Sequence, residues 1–182
     1  VLPRWWVVRG DVPWKYYPEG AFLKATTPFR TNHKAKETNK MIDTQKLYEL
    51  LPTVQKPGRY VGGEWNAVKK EWTDSRVKVC LAFPDVYEVG MSHLGIKILY
   101  GVLNAREDCL AERAFAPWRD FEKALRDNGL PLYALESRMP LRAFDIVGFS
   151  IGHELCYTNL LTMLDLGRIP LAAADRADGD PL

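Results

Sequence analysis

The stretch RVKVCLAFPDVYEVGMSHLGIKILYGVLN, residues 76–104, decides the fold. Its first eight residues are an apolar run with β-branched side chains, interrupted only by Arg76 and Lys78, and Pro84 ends it, which is the pattern of a strand buried within a sheet. Beyond the loop that follows, Leu94, Ile98, Leu99, Val102 and Leu103 recur at helical spacing. They predict a helix that begins near Ser92 and carries these residues on one face.

Toward the C-terminus the unit repeats. Residues 110–115 predict a second strand, and residues 118–128 a second helix with Phe121, Ala124 and Leu125 inward and Gly129 as its C-cap. Residues 132–135 suit another short strand. Residues 145–151, DIVGFSI, form a further continuous apolar strand, followed by a helix from about residue 154 to residue 166 that Gly167 and Pro170 close. The polar turn ADGDPL, residues 177–182, stands where a next strand is expected, so the sheet is expected to be truncated before its last strands. Strands alternating with helices imply an α/β fold with a doubly wound, mostly parallel sheet, Rossmann-like, with right-handed crossovers and helices on both faces.

Toward the N-terminus the pattern loosens. In residues 41–51 the spacing of Ile42, Leu47, Leu50 and Leu51 suits a short amphipathic helix ended by Pro52. Residues 56–70, KPGRYVGGEWNAVKK, are turn-dense through Pro57, Gly58, Gly62 and Gly63. Tyr60, Trp65 and Trp72 are expected to cover the sheet edge or to face a partner domain. Residues 1–40 have no periodicity and carry eight Lys/Arg against three Asp/Glu, whereas the rest of the chain carries seventeen against twenty. They read as a disordered native arm or as a non-native extension ahead of a translation start at Met41. The organisation expected is therefore an extension over 1–40, a helix and turn-rich lead-in over 41–75, and an α/β domain over 76–182.

Composition excludes several classes. With 47% hydrophobic and 26% charged residues the chain suits a globular protein, and no window approaches the roughly 20 apolar residues that span a bilayer. No signal-peptide pattern opens the sequence, so a cytoplasmic protein without a membrane partner is expected. The basic front segment lacks a groove-reading motif, which leaves nucleic acid without support as a partner. Cys80, Cys109 and Cys156 are odd in number and widely spaced, which argues for reduced thiols rather than a disulfide framework or a CxxC metal site.

In doubly wound sheets, ligands sit beyond the carboxyl ends of the strands. That rule selects two loops, PDVYEVGMSHLG at 84–95 and SIGHELCYTN at 150–159. In the first, Gly90 and Gly95 flank Ser92 and His93 ahead of a helix N-terminus, whose free N–H groups favour anions, and Asp85 and Glu88 supply carboxylates. Asp85 suits a turn as well as a functional role, and His93 suits a helix cap as well as a ligand or proton shuttle. Neither G-x-G-x-x-G nor G-x-x-x-x-G-K-[ST] is present, which removes the dinucleotide and P-loop readings. The second loop offers Ser150, His153, Glu154 and Tyr157, with Glu154 also placed to complement the positive end of the next helix. A metal site built on His93 and His153 needs a third ligand, and the sequence names none.

The stretches RYVGGEWN (59–66), LAFPDVYEVGMSHLGIKILYGVLN (81–104), ERAFAPW (112–118), LPLYALESRMPL (130–141) and FDIVGFSIGHELCYTNLLTMLDLGRIPL (144–171) resemble the N-terminal region of a family of bacterial radical S-adenosylmethionine (SAM) proteins that is cobalamin-binding-like. The resemblance spans about residues 45–182. In that family the region precedes a radical SAM barrel with a C-x-x-x-C-x-x-C motif, a spacing that does not occur in this sequence. The resemblance therefore implies an accessory domain with no catalytic residue of its own. The [4Fe–4S] cluster and S-adenosylmethionine would belong to a downstream radical SAM domain of the same chain, the partner it implies, and the reaction class to radical-based methyl transfer or a related modification.

Cobalamin domains that supply an axial histidine use D-x-H-x-x-G after the first strand. Residues 85–90, DVYEVG, have that frame with Tyr87 at the histidine position. A phenol with a pKa near 10 is a poor cobalt ligand at neutral pH, so cobalamin bound there would lack a ligand from this position. The cofactor-facing set the resemblance implies is Asp85, Tyr87, Glu88, Gly90, Ser92, His93 and Gly95 from the first loop and Ser150, His153, Glu154 and Tyr157 from the second. The alternative is a docking module of the same fold that holds no ligand.

Overall fold

Three strands pair in parallel: β1 (Val77–Phe83) in the centre, β2 (Cys109–Phe115) on one side and β3 (Ile146–Phe149) on the other. The computed structural model that shows this describes residues 40–182, so the expectations for the preceding segment lie outside the described residues. Val77 stands opposite Cys109 and Phe83 opposite Phe115, while Val79 stands opposite Ile146 and Ala82 opposite Phe149. The two apolar runs singled out in the sequence are thus adjacent, with their exits at the same end of the sheet.

β1 is almost wholly buried because both its edges are paired and both its faces are covered. Val79 and Leu81 turn toward Tyr100, Leu99 and Leu103 of α3 (Leu94–Asn104). Cys80 and Ala82 belong to the larger core on the other face, with Phe121 and Leu125 of α4 (Arg119–Asp127), Met163 and Leu164 of α5 (Cys156–Leu166), and Leu47 of α1 (Thr44–Leu50). Alternation along one strand therefore feeds two cores, as a sheet with helices on both faces requires.

Both edges are blunted by groups other than strands. On β2, Asn104 accepts from the Ala111 N–H and donates to the Ala111 carbonyl, while the Arg113 N–H donates to Glu136 and its carbonyl accepts from the Leu135 N–H. On β3, the Val147 N–H donates to the Leu182 carbonyl and the Leu182 N–H to the Asp145 carbonyl, which lays the last residue along the outer edge. Side chains and short backbone contacts thereby satisfy donors and acceptors that would otherwise template aggregation.

Three local expectations are corrected. Within the loop expected at 84–95 lies a short helix, α2 (Tyr87–Ser92), whose end meets the start of α3 at His93. In α3 the buried residues are Ile96 and Tyr100, whereas Leu94, Ile98 and Val102 are exposed. Residues 132–135 are not a strand: Tyr133 makes an isolated antiparallel bridge to Pro140, and the Leu132 and Leu135 N–H groups bond to Leu166 and Arg113. The lead-in helix is present as α1, capped by Asp43, whose carboxylate accepts from the Gln45 and Lys46 N–H groups. Gly129, at φ 62°, closes α4 as expected.

Of the aromatics in the lead-in, Tyr60 is buried and stacks on Phe121 at 3.8 Å, and Trp72 meets Phe144 edge-on at 5.0 Å. Trp65 is fully exposed. All three cysteines are buried free thiols. Among the described residues no helix is long and apolar enough to cross a membrane.

Candidate functional site

The parallel pairing of β1 with β3 brings the two candidate loops to one rim. The Ser150 N–H donates to the Ala82 carbonyl at 3.0 Å, so the β3 exit runs beside the β1 exit at Phe83, Pro84 and Asp85. A further tie crosses the rim from α5, where the Asn159 amide donates to the Pro84 carbonyl at 3.0 Å. Beside Asp85 a cleft of about 680 Å³ opens between Pro117 and Trp118 at the β2 exit and Asn159 and Thr162 on α5.

The first-loop residues divide into two groups. Asp85 stays on the rim, half-buried, with Oδ1 accepting from the Val86 N–H at 2.7 Å. Tyr87 and Glu88 instead turn to the lead-in. The Tyr87 hydroxyl donates to Glu64 at 3.1 Å and its ring meets Phe115 edge-on. Burial, followed by the negative charge of Glu64, raises the Tyr87 pKa and keeps the phenol neutral. Glu88 binds Arg59 at 2.8 Å and Lys56 at 3.2 Å, and the Arg59 hydrogen bond holds its carboxyl down at about 2.

Gly90, Ser92, His93 and Gly95 build the α2–α3 corner. A Cβ on Gly90 would enter the Phe115 ring, with Phe83 3.2 Å away, so only glycine lets α2 close onto the strand ends. Ser92 donates to the Glu88 and Val89 carbonyls, both at 2.9 Å. His93 caps α3: its Nδ1 accepts from the Ile96 N–H at 3.4 Å, and its ring lies 5.1 Å from that of Phe83. Gly95 sits beneath it, where a Cβ would come within 2.9 Å of the His93 ring.

The second loop is more open. Ser150 is buried, while His153, Glu154 and Tyr157 are exposed together with Ile151 and Leu155. His153 shares its surroundings with Cys156, whose Sγ lies 3.4 Å from Nε2, and with Asp85. One ligand atom from each of these three residues lies within 4.8 Å of the others, a mixed O, N and S donor set at the junction of both exits. Sequence reasoning passed over Cys156 and Asn159. The H-x-x-C spacing at a strand exit was the available signal, and it needed the β1–β3 adjacency to acquire a third donor.

Sequence reasoning also missed a buried ionic network behind the rim. Arg113 contacts Glu136 at 2.6 Å and Glu64 at 3.6 Å and lies 4.3 Å from the centre of the Tyr100 ring. Glu112, on the same strand, accepts from the Ser137 N–H and hydroxyl, and its burial raises its pKa to about 7. Glu64, Glu112, Arg113 and Glu136 come from three of the stretches quoted above, so those stretches share a structural partner.

Residues 95–182 match the family described as radical SAM proteins, N-terminal. The match runs from the first turn of α3 to the last residue and includes the second loop, and it supports membership of the radical SAM proteins. The first loop up to Leu94, and the lead-in, precede the matched span. No curated protein and no solved structure matches the chain.

Proposed function

We propose, with residues 95–182 read as the N-terminal family region of a radical SAM protein, that this chain is an accessory α/β domain whose working face is the rim formed by residues 84–95 and 150–159. The observation that carries the reading is the family match over a segment containing β3, the second loop and α5, together with the general placement of ligands at the carboxyl ends of parallel strands. The chemistry belongs to the radical SAM domain; this domain's contribution is to hold a cofactor or the catalytic domain at the rim. Exposed Ile151, Leu155, Tyr157 and Leu161 give that rim an apolar surface suited to being covered.

Cobalamin is the cofactor proposed for the rim, bound without an axial ligand from Tyr87. Tyr87 is tied to Glu64 and is a neutral phenol, so it serves the packing of α2 rather than cobalt. The same observation favours a second reading, in which the fold is kept as a docking module with no cobalamin at all. Titration of the full radical SAM protein with hydroxocobalamin, followed in the visible spectrum, separates the two. Saturable binding with a stoichiometric spectral change supports the cofactor reading, and an unchanged spectrum leaves docking as the function.

A further inference from the structure

We infer that Asp85, His153 and Cys156 form a mononuclear site for a divalent transition-metal ion, zinc in the first place. Each residue presents one ligand atom within 4.8 Å of the other two. A tetrahedral zinc ion with Zn–S near 2.3 Å and Zn–N near 2.0 Å separates its sulfur and nitrogen donors by roughly 3.5 Å. Cys156 Sγ stands 3.4 Å from His153 Nε2 and 3.7 Å from Nδ1, so the sulfur–nitrogen separation is that of the tetrahedron, and a rotation of the exposed ring would aim Nε2 at the ion.

The three donors are held by different means. Cys156 is the first residue of α5, is 2% exposed, and sends its backbone N–H to the His153 carbonyl at 3.2 Å, which folds the H-x-x-C segment back on itself. Asp85 is fixed through Oδ1 by the Val86 N–H, and its other carboxylate oxygen is left for a metal. Asn159, one turn into α5, pins that helix to the β1 exit through Pro84 and so keeps Asp85 and Cys156 in register. His153 lies on the solvent side, with its ring against Cys156 Sγ.

The donor types select the ion. Magnesium and calcium take oxygen ligands, whereas one sulfur, one imidazole nitrogen and one carboxylate suit zinc and its neighbours. Three protein ligands leave a fourth position open toward the rim for water or a substrate group. The site does not rest on the radical SAM reading, since it follows from two adjacent strand exits alone. A metal-free result would leave that reading standing, and a different family assignment would leave the site standing.

The test uses the full 182-residue chain, purified without a histidine tag and without chelators. Elemental analysis is expected to find about one zinc per chain, and cobalt substitution to give tetrahedral ligand-field bands with a thiolate-to-cobalt charge-transfer band. His153→Ala, at an exposed position that the fold does not need, and Cys156→Ser are expected to remove both signals. Asp85→Asn is expected to weaken cobalt binding beyond the ~10–100-fold that a merely supporting residue costs. Circular dichroism of the metal-free His153→Ala chain checks that it still folds. A chain that retains no zinc and gives only the weak octahedral cobalt spectrum overturns the site. So does metal binding that survives His153→Ala, or alkylation of Cys156 at one rate with and without zinc.

Discussion

Arg113 and Glu136 are joined Nε to Oε1 at 2.6 Å, with their side chains only 4% and 2% exposed. A pair sealed to that degree gains strength from its low-dielectric surroundings, and its members become costly to strand singly. Glu136 also accepts the backbone N–H of Arg113, so the pair locks the turn at residues 135–137 against the open edge of β2.

Arg113→Ala is expected to destabilise the chain by roughly 3–5 kcal/mol, read from urea unfolding, because it leaves the buried Glu136 carboxylate and the partly buried Glu64 without their cation. Arg113→Lys is expected to recover less than half of that loss. A lysine ammonium cannot fork between two carboxylates while lying on the Tyr100 ring.

Glu112 gives the protein a pH dependence of definite sign. Burial raises its folded pKa to about 7 from 4.5, so between those values the folded state holds a proton that the unfolded state releases. The associated stability is present below about pH 4.5 and is lost as pH rises through about 7, at a slope near 1.4 kcal/mol per pH unit within the window. Glu112→Gln, whose amide oxygen can still accept from Ser137, is expected to flatten that slope and to be the more stable form at pH 8 in thermal unfolding.

Gly90→Ala is expected to cost roughly 1–3 kcal/mol through overpacking, since the added methyl meets the Phe115 and Phe83 rings where α2 closes on the strand ends. Gly58→Ala, with open space around the added methyl, is the matched control in the same unfolding assay.

Tyr87→Phe is expected to lose about 1 kcal/mol with the hydrogen bond to Glu64 and, on the proposed cobalamin reading, to leave the hydroxocobalamin spectrum unchanged. A spectrum altered by this substitution would show that the phenol reaches the cobalt.

The strands were legible in the sequence for a physical reason. Residues 77–83 of the central strand are apolar but for Lys78, as burial on both faces favours, and residues 146–149 of the edge strand are an unbroken apolar stretch between Asp145 and Ser150. The face of α3 was not legible in the same way. Residues 94–103 are apolar nearly all round, so periodicity offered several faces, and packing chose the one where the Tyr100 hydroxyl meets the Val68 backbone at 2.7 Å. Helix α2 escaped notice because it spans six residues, contains Gly90 and has no side-chain cap at Val86; tertiary packing rather than local propensity holds it. The rim itself followed from the order of strands and helices. The Asp85–His153–Cys156 grouping did not, since its members come from two loops more than sixty residues apart and only the register of β1 against β3 decides that they meet.

Hydrogen exchange, compared between this chain alone and this chain joined to the radical SAM domain proposed as its partner, tests the role of the rim most directly. The account predicts slower exchange at residues 84–95 and 150–161 when the catalytic domain is present, with little change at the opposite end of the sheet near residues 105–109. Unchanged exchange at both loops, with protection appearing at that opposite end instead, would contradict it.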